Sequence, residues 1–104
     1  MARPKTDGAD DVHLLELFEV IGQRWTLRIL WQLRSRPLSY REIAAEIPGL
    51  STSVLTSRIR HLKSVGLVQH QGAGYELTPV GTELIAHVQH LRKWAEGIEF
   101  RSEP

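Results

Sequence analysis

A chain of 104 residues with 41% hydrophobic content holds one modest core, burying roughly 60 to 70% of its unfolded surface, and has no room for a second full domain. The absence of cysteine excludes disulfides, thiolate metal sites and sulfur-based redox sensing; no apolar run approaches ~18 residues and residues 1–11 hold no apolar signal core, so no membrane contact and a cytoplasmic location are expected. The 13 Lys and Arg nearly cancel the 12 Asp and Glu, but residues 1–22 hold two basic and five acidic groups, 23–66 eight and two, and 67–104 three and five: a basic middle that suits one face meeting a polyanion.

Residues 1–9, with Pro4 and Gly8 and no apolar periodicity, read as a disordered tail, which leaves 10–104 for the domain. With Asp10 or Asp11 as N-cap, seven of the ten residues from Val12 to Ile21 are apolar and Gly22 supplies a stop, predicting helix one. Its apolar stripe is wider than one packed face requires, so it is expected to meet its own core and a partner subunit. A second helix, Trp25 to Arg34, carries Trp25, Leu27, Ile29, Leu30, Trp31 and Leu33 on nearly every side and is expected to be central.

Ser35, Arg36 and Pro37 break the chain, and Leu38 with Ser39 fits a very short strand. Ser39-Tyr40-Arg41-Glu42 has capping-box spacing and opens helix three, which runs to about Ile47 and is ended by Pro48 and Gly49. Ser51 is a good N-cap for helix four, reaching Val65 with Gly66 as its stop; two helices joined this way make a helix-turn-helix. Leu67 to Gln71 and Tyr75 to Thr78 are strand-like and joined by Gly72-Ala73-Gly74, a hairpin in the position of a wing. Thr78 and Pro79 start a last helix to about Phe100, along which Leu84, Val88, Leu91, Ala95 and Ile98 form a seam of two heptads. That seam suits a partner helix or packing on the same domain. The fold expected is mainly α with a small β-hairpin, a winged helix-turn-helix.

Helix four, Ser51 to Gly66, is the informative segment. At 100° per residue Leu55, Ile59 and Leu62 share one face, Ser53, Ser57 and Ser64 lie opposite, and Thr56, Arg60 and His61 stand on the shoulders. The helix contains no acidic residue, which favours contact with phosphates of double-stranded DNA over ordinary solvation. The N-terminal residues of such a helix enter the major groove, so Thr52, Ser53, Thr56, Ser57 and Arg60 are the candidates for reading bases. Arg41, Arg58 and Lys63 are placed to hold phosphates. The wing tip has no Arg or Lys and leaves only His70 and Gln71 for backbone contacts, so a small wing contribution is expected.

Rival chemistries are poorly supported. His87 and His90 sit three apart with Glu83 nearby, but a metal site needs three or four ligands of fixed geometry, so no metal or cofactor is expected. No Gly-rich phosphate loop, nucleophile elbow or HExxH sequence is present, which argues against an enzyme. Trp25 and Trp31 read as core residues, whereas Trp94, beside the seam, is the better candidate for an interface or the pocket of an unidentified small-molecule effector. A protein-interaction module that dimerises without touching DNA is the alternative reading.

Several segments together resemble the HxlR-type winged-helix regulators of bacteria, relatives of the MarR-like regulators. The resemblance runs from about Val12 to Glu96 and is carried by Ile21-Gly22-Gln23-Arg24-Trp25-Thr26, Pro48-Gly49-Leu50-Ser51, Leu55-Thr56-Ser57-Arg58-Ile59-Arg60, Gly66-Leu67-Val68, Tyr75-Glu76-Leu77-Thr78 and Trp94. It implies a homodimeric transcription factor whose first and last helices form the dimer interface, here Leu14 and Phe18 with Leu84, Val88, Leu91, Trp94, Ala95 and Ile98. It further implies two helix-turn-helix units in adjacent major grooves of a pseudo-palindromic site. Many members of that family carry a sensing cysteine just before helix one, where Val12 and His13 stand here, so thiol switching does not carry over. The wing is also shorter and less basic than the family's usual form.

Overall fold

The structure is a computed structural model, and the residues it describes are 8–101. In chain order these form α1 (Gly8–Ile21), α2 (Thr26–Gln32), α3 (Tyr40–Glu46), α4 (Thr52–Ser64), β1 (Val68–Gln71), β2 (Gly74–Leu77) and α5 (Pro79–Glu96). Five helices and one antiparallel hairpin make a winged helix-turn-helix, as the sequence predicts. The tail expected at 1–9 falls largely outside the described residues, but Gly8 and Ala9 already belong to α1, so Asp10 and Asp11 lie within the helix and neither caps it.

The core lies under the middle of the chain. Ile29 and Leu30 of α2, Leu38, Ile43 of α3, Leu55, Ile59 and Leu62 of α4, Val68 and Tyr75 of the hairpin and Ile85 of α5 are all buried together. Residues from α1, α3 and α5 all approach α2, which is therefore central. It is shorter than the expected Trp25 to Arg34, because Trp25 adopts φ 78° and cannot be helical, while Leu33 caps the other end. A left-handed L-residue costs about 1–2 kcal/mol and persists where its surroundings fix it. Here the indole covers Gly49, whose own φ of 89° turns the chain between α3 and α4.

The hairpin pairs Val68 with Leu77 and Gln71 with Gly74, leaving Gly72 and Ala73 as a two-residue loop with φ 58° at the first position. A third, single-residue strand joins it. Leu38 N–H donates to the Tyr75 carbonyl at 2.9 Å and Tyr75 N–H to that of Leu38 at 2.8 Å. A Cβ on Gly74 would stand 2.6 Å from the Leu38 oxygen, so only glycine permits the hairpin to lie this close.

The Thr78 hydroxyl accepts from Gly81 N–H at 3.0 Å, with Pro79 in the first turn of α5, as the sequence indicates. The helix stops at Glu96 and not near Phe100. Gly97 caps it, its N–H bonding back to Trp94 O at 3.2 Å, and Ile98 N–H bonds to Ala95 O at 3.0 Å. Ile98 therefore lies past the helix and does not continue the seam. Along α5 only Gly81 and Ile85 are buried; Leu84, Val88 and Ala95 are half-buried, while Leu91 and Trp94 are each 59% exposed. On α1, Val12, Leu14, Leu15, Leu17 and Phe18 are all exposed.

Candidate nucleic-acid interface

Two caps fix the helix-turn-helix. Glu42 N–H donates to Ser39 Oγ at 3.1 Å while Ser39 N–H donates to Glu42 Oε1 at 2.9 Å, the reciprocal box expected from the sequence. Ser51 Oγ accepts from Val54 N–H at 3.2 Å and opens α4. The Ser39 N–H first, with Arg36 adding to it, holds the Glu42 carboxyl below the usual carboxylate range.

Helix α4 buries Leu55, Ile59 and Leu62, and its opposite face is polar. Ser53, Ser57 and Arg60 are exposed along that face, which brings three of the five candidate base readers together, while Thr52 is exposed at the first position of the helix on the side of Leu55 and α3. Thr56 is half-buried and its hydroxyl donates to Thr52 O at 2.9 Å, which leaves it an acceptor only. Arg60 and Arg41 have no carboxylate partner among the described residues.

The two acidic groups in the basic middle segment are both on α3, and Arg36 lies against both, 3.5 Å from Glu42 and 3.5 Å from Glu46. Gln32 Nε2 also donates to Glu46 Oε1 at 2.7 Å. One arginine from the preceding loop thus offsets both carboxylates of α3. Nothing in the sequence pattern pointed to Arg36, because the pairing is made across a turn and not at helical spacing.

The candidate phosphate contacts divide. Lys63 Nζ lies 2.8 Å from His70 Nε2, an ammonium donor on an imidazole acceptor, so α4 and the wing present these two side chains as one unit. His70 rests on the Tyr75 ring at 4.7 Å, which meets Tyr40 edge-on at 5.1 Å. Burial first, with the neighbouring Tyr40 hydroxyl adding to it, pushes the Tyr75 hydroxyl up. Gln71 is exposed at the wing tip. Arg58 stands apart: it is half-buried and its Nε donates to the Arg24 carbonyl at 2.7 Å.

Trp25 and Trp31 are half-buried against the core, as expected of core residues. Trp31 also walls an apolar depression of about 340 Å³ with Val88, Leu91, Arg92 and Ala95. A second depression, of about 380 Å³, opens between α1 and α5, with Leu17, Val20, Leu67 and Leu84 below and His13, Glu16, Glu83 and His87 around it. Trp94 lines neither and meets Phe100 edge-on at 6.0 Å. Among the described residues no group of three or more His, Asp or Glu is placed to hold a metal ion, and no helix is long and apolar enough to cross a membrane.

A capped helix-turn-helix with an acid-free outward helix and an adjoining hairpin defines a DNA-binding transcription regulator of the winged-helix class. The sequence model of the HxlR-like helix-turn-helix family matches residues 20–102, and the chain belongs to that family. It is 31% identical over 86 residues to the HTH-type transcriptional regulator YodB of Bacillus subtilis, spanning 76% of this chain and 77% of YodB. It is 30% identical over 84 residues to the regulator YvaP of the same organism, spanning 74% and 78% of the two. The crystal structure of quinone-bound YodB superposes with a TM-score of 0.78 at 31% identity, over 84% of this chain and 99% of that one. A MarR-family regulator from Porphyromonas gingivalis W83 has the same fold, with a TM-score of 0.78 at 23% identity, over 93% and 100% of the two chains. Both Bacillus subtilis relatives are HTH-type transcriptional regulators.

Proposed function

We propose that the protein is a homodimer that binds a pseudo-palindromic operator, each α4 entering a major groove with half-sites about one helical turn apart. The observation that carries the reading is the outward face of α4, where Ser53, Ser57 and Arg60 stand exposed in a helix without an acidic residue, with Thr52 exposed at its start. Thr52, Ser53, Ser57 and Arg60 read base edges, with Thr56 restricted to accepting a hydrogen bond. Arg41 and the Lys63–His70 unit take phosphates, and Gln71 adds little. The dimer forms through Leu14 and Phe18 of α1 and the outer side of α5, where Leu91 and Trp94 are most exposed and Leu84, Val88 and Ala95 lie at the margin. Ile98 contributes from the segment after the helix.

On this reading the protein works in the cytoplasm, on the nucleoid when bound, and has no catalytic role. Any effector acts without covalent thiol chemistry, since the chain has no cysteine, and the depression between α1 and α5 is the site for it. The test is a titration of the purified protein on its own upstream DNA and on random duplex at two salt concentrations. Preference for the upstream fragment, with a salt slope near -0.9 per phosphate neutralised, is expected. Salt-insensitive binding, or none to either duplex, would count against direct DNA recognition and favour a protein partner.

A further inference from the structure

The recognition helix is held from behind by the loop that follows α1. Arg58 Nε reaches across 34 residues of sequence to the Arg24 carbonyl at 2.7 Å. The next residue is Trp25, the only non-glycine residue at positive φ among those described, and the Arg24 guanidinium lies 4.9 Å from its ring. The same indole reaches the α3–α4 turn, where a Cβ on Gly49 would stand 3.6 Å from it. Residues 22–25 thus continue α1 directly, cover the turn through Trp25, and meet the middle of α4 through Arg58.

We propose that Arg58 is a positioning residue and not a phosphate contact: it fixes the angle of α4 relative to α1, and so the separation of the two recognition helices. The proposal rests on the dimer reading above, because α1 supplies part of that interface. The left-handed residue makes the loop a stiff anchor, since such a conformation survives only where neighbouring contacts determine it. A guanidinium whose inner nitrogen is committed to a fixed carbonyl has its plane set by the protein, and it has lost the Nε side of the fork that phosphate would engage.

The test uses the full chain and duplexes that the wild-type protein recovers from a random library, rebuilt with one or two base pairs added at the centre. Each is titrated beside random duplex at two salt concentrations. Wild type is expected to separate correct from altered spacing by about tenfold or more, the scale of one base-pair mismatch. In Arg58→Ala that separation is expected to collapse to about threefold or less, with random-duplex affinity and salt slope unchanged. Arg58→Lys keeps the charge without the Nε donor, is expected to lose the preference too, and serves if the alanine variant does not fold. An equal loss on every duplex with the slope lower by about one overturns the proposal and makes Arg58 a phosphate contact. An unchanged spacing preference in either folded variant overturns it as well. A wild-type chain that binds its selected duplexes but is indifferent to their spacing overturns the dimer reading first, and this proposal with it.

Discussion

The middle of the molecule and its two end helices treat apolar side chains in opposite ways. From Ile29 to Leu62 the buried leucines and isoleucines of α2, α3 and α4 are covered by one another and by the hairpin. On α1, five large apolar side chains from Val12 to Phe18 are exposed, and on α5 Leu91 and Trp94 are more than half exposed. The radius of gyration, 16.1 Å, exceeds the about 13 Å of a compact 100-residue domain. The contrast separates a region that completes its own core from one that leaves large apolar side chains in solvent, which suits the proposed dimer.

That contrast can be broken or sharpened by substitution. Leu30→Ala, in the fully buried centre, is expected to cost about 2–5 kcal/mol in urea unfolding, because neighbouring side chains can fill only part of the space left. Phe18→Asp, on the exposed arm, is expected to leave helix content intact while weakening self-association by about 2 kcal/mol or more, read by sedimentation. A cost in urea unfolding as large as that of Leu30→Ala would erase the distinction between the two regions. Ser39→Ala removes one half of the box at α3 and is expected to cost about 1 kcal/mol in the same unfolding assay.

The acid limb follows from Glu42. Its carboxyl is depressed in the folded chain, so the stability it contributes is present above the ordinary glutamate range and is lost as pH falls through the depressed value. Glu42→Gln is therefore expected to lose less stability than wild type between neutral and acidic pH, followed by thermal melts. Gln71→Ala, at the cation-free wing tip, is expected to change operator affinity by less than about 0.5 kcal/mol. A larger loss would bring the wing tip, beyond His70, into contact with DNA.

What the sequence shows of this fold is local. Ser39, Ser51 and Thr78 as caps, Gly66 as a stop and Gly72 in the hairpin loop are all visible, because each acts on backbone groups within a few residues of itself. Helix periodicity likewise exposes the inner face of α4. Gly97, which caps α5, stands in the sequence as well, but the apolar spacing runs past it to Ile98 and hides the stop. The left-handed Trp25, the Arg36 pairing with Glu42 and Glu46, and the commitment of Arg58 to Arg24 are hidden, since they join segments that only the folded chain brings together. For the site, the pattern delivered the exposed polar face but not which of its cations was already engaged.

The Leu38–Tyr75 bridge has a consequence for how the chain comes into being. The residue just before the α3 cap takes both its backbone bonds from a strand synthesised long after it, and the hairpin can dock only because Gly74 leaves room. The first helix of the helix-turn-helix therefore acquires its final anchorage late, once the wing has emerged and closed. A chain arrested between α4 and β2 would carry every side chain proposed to touch DNA on α3 and α4, without the fastening that aims them.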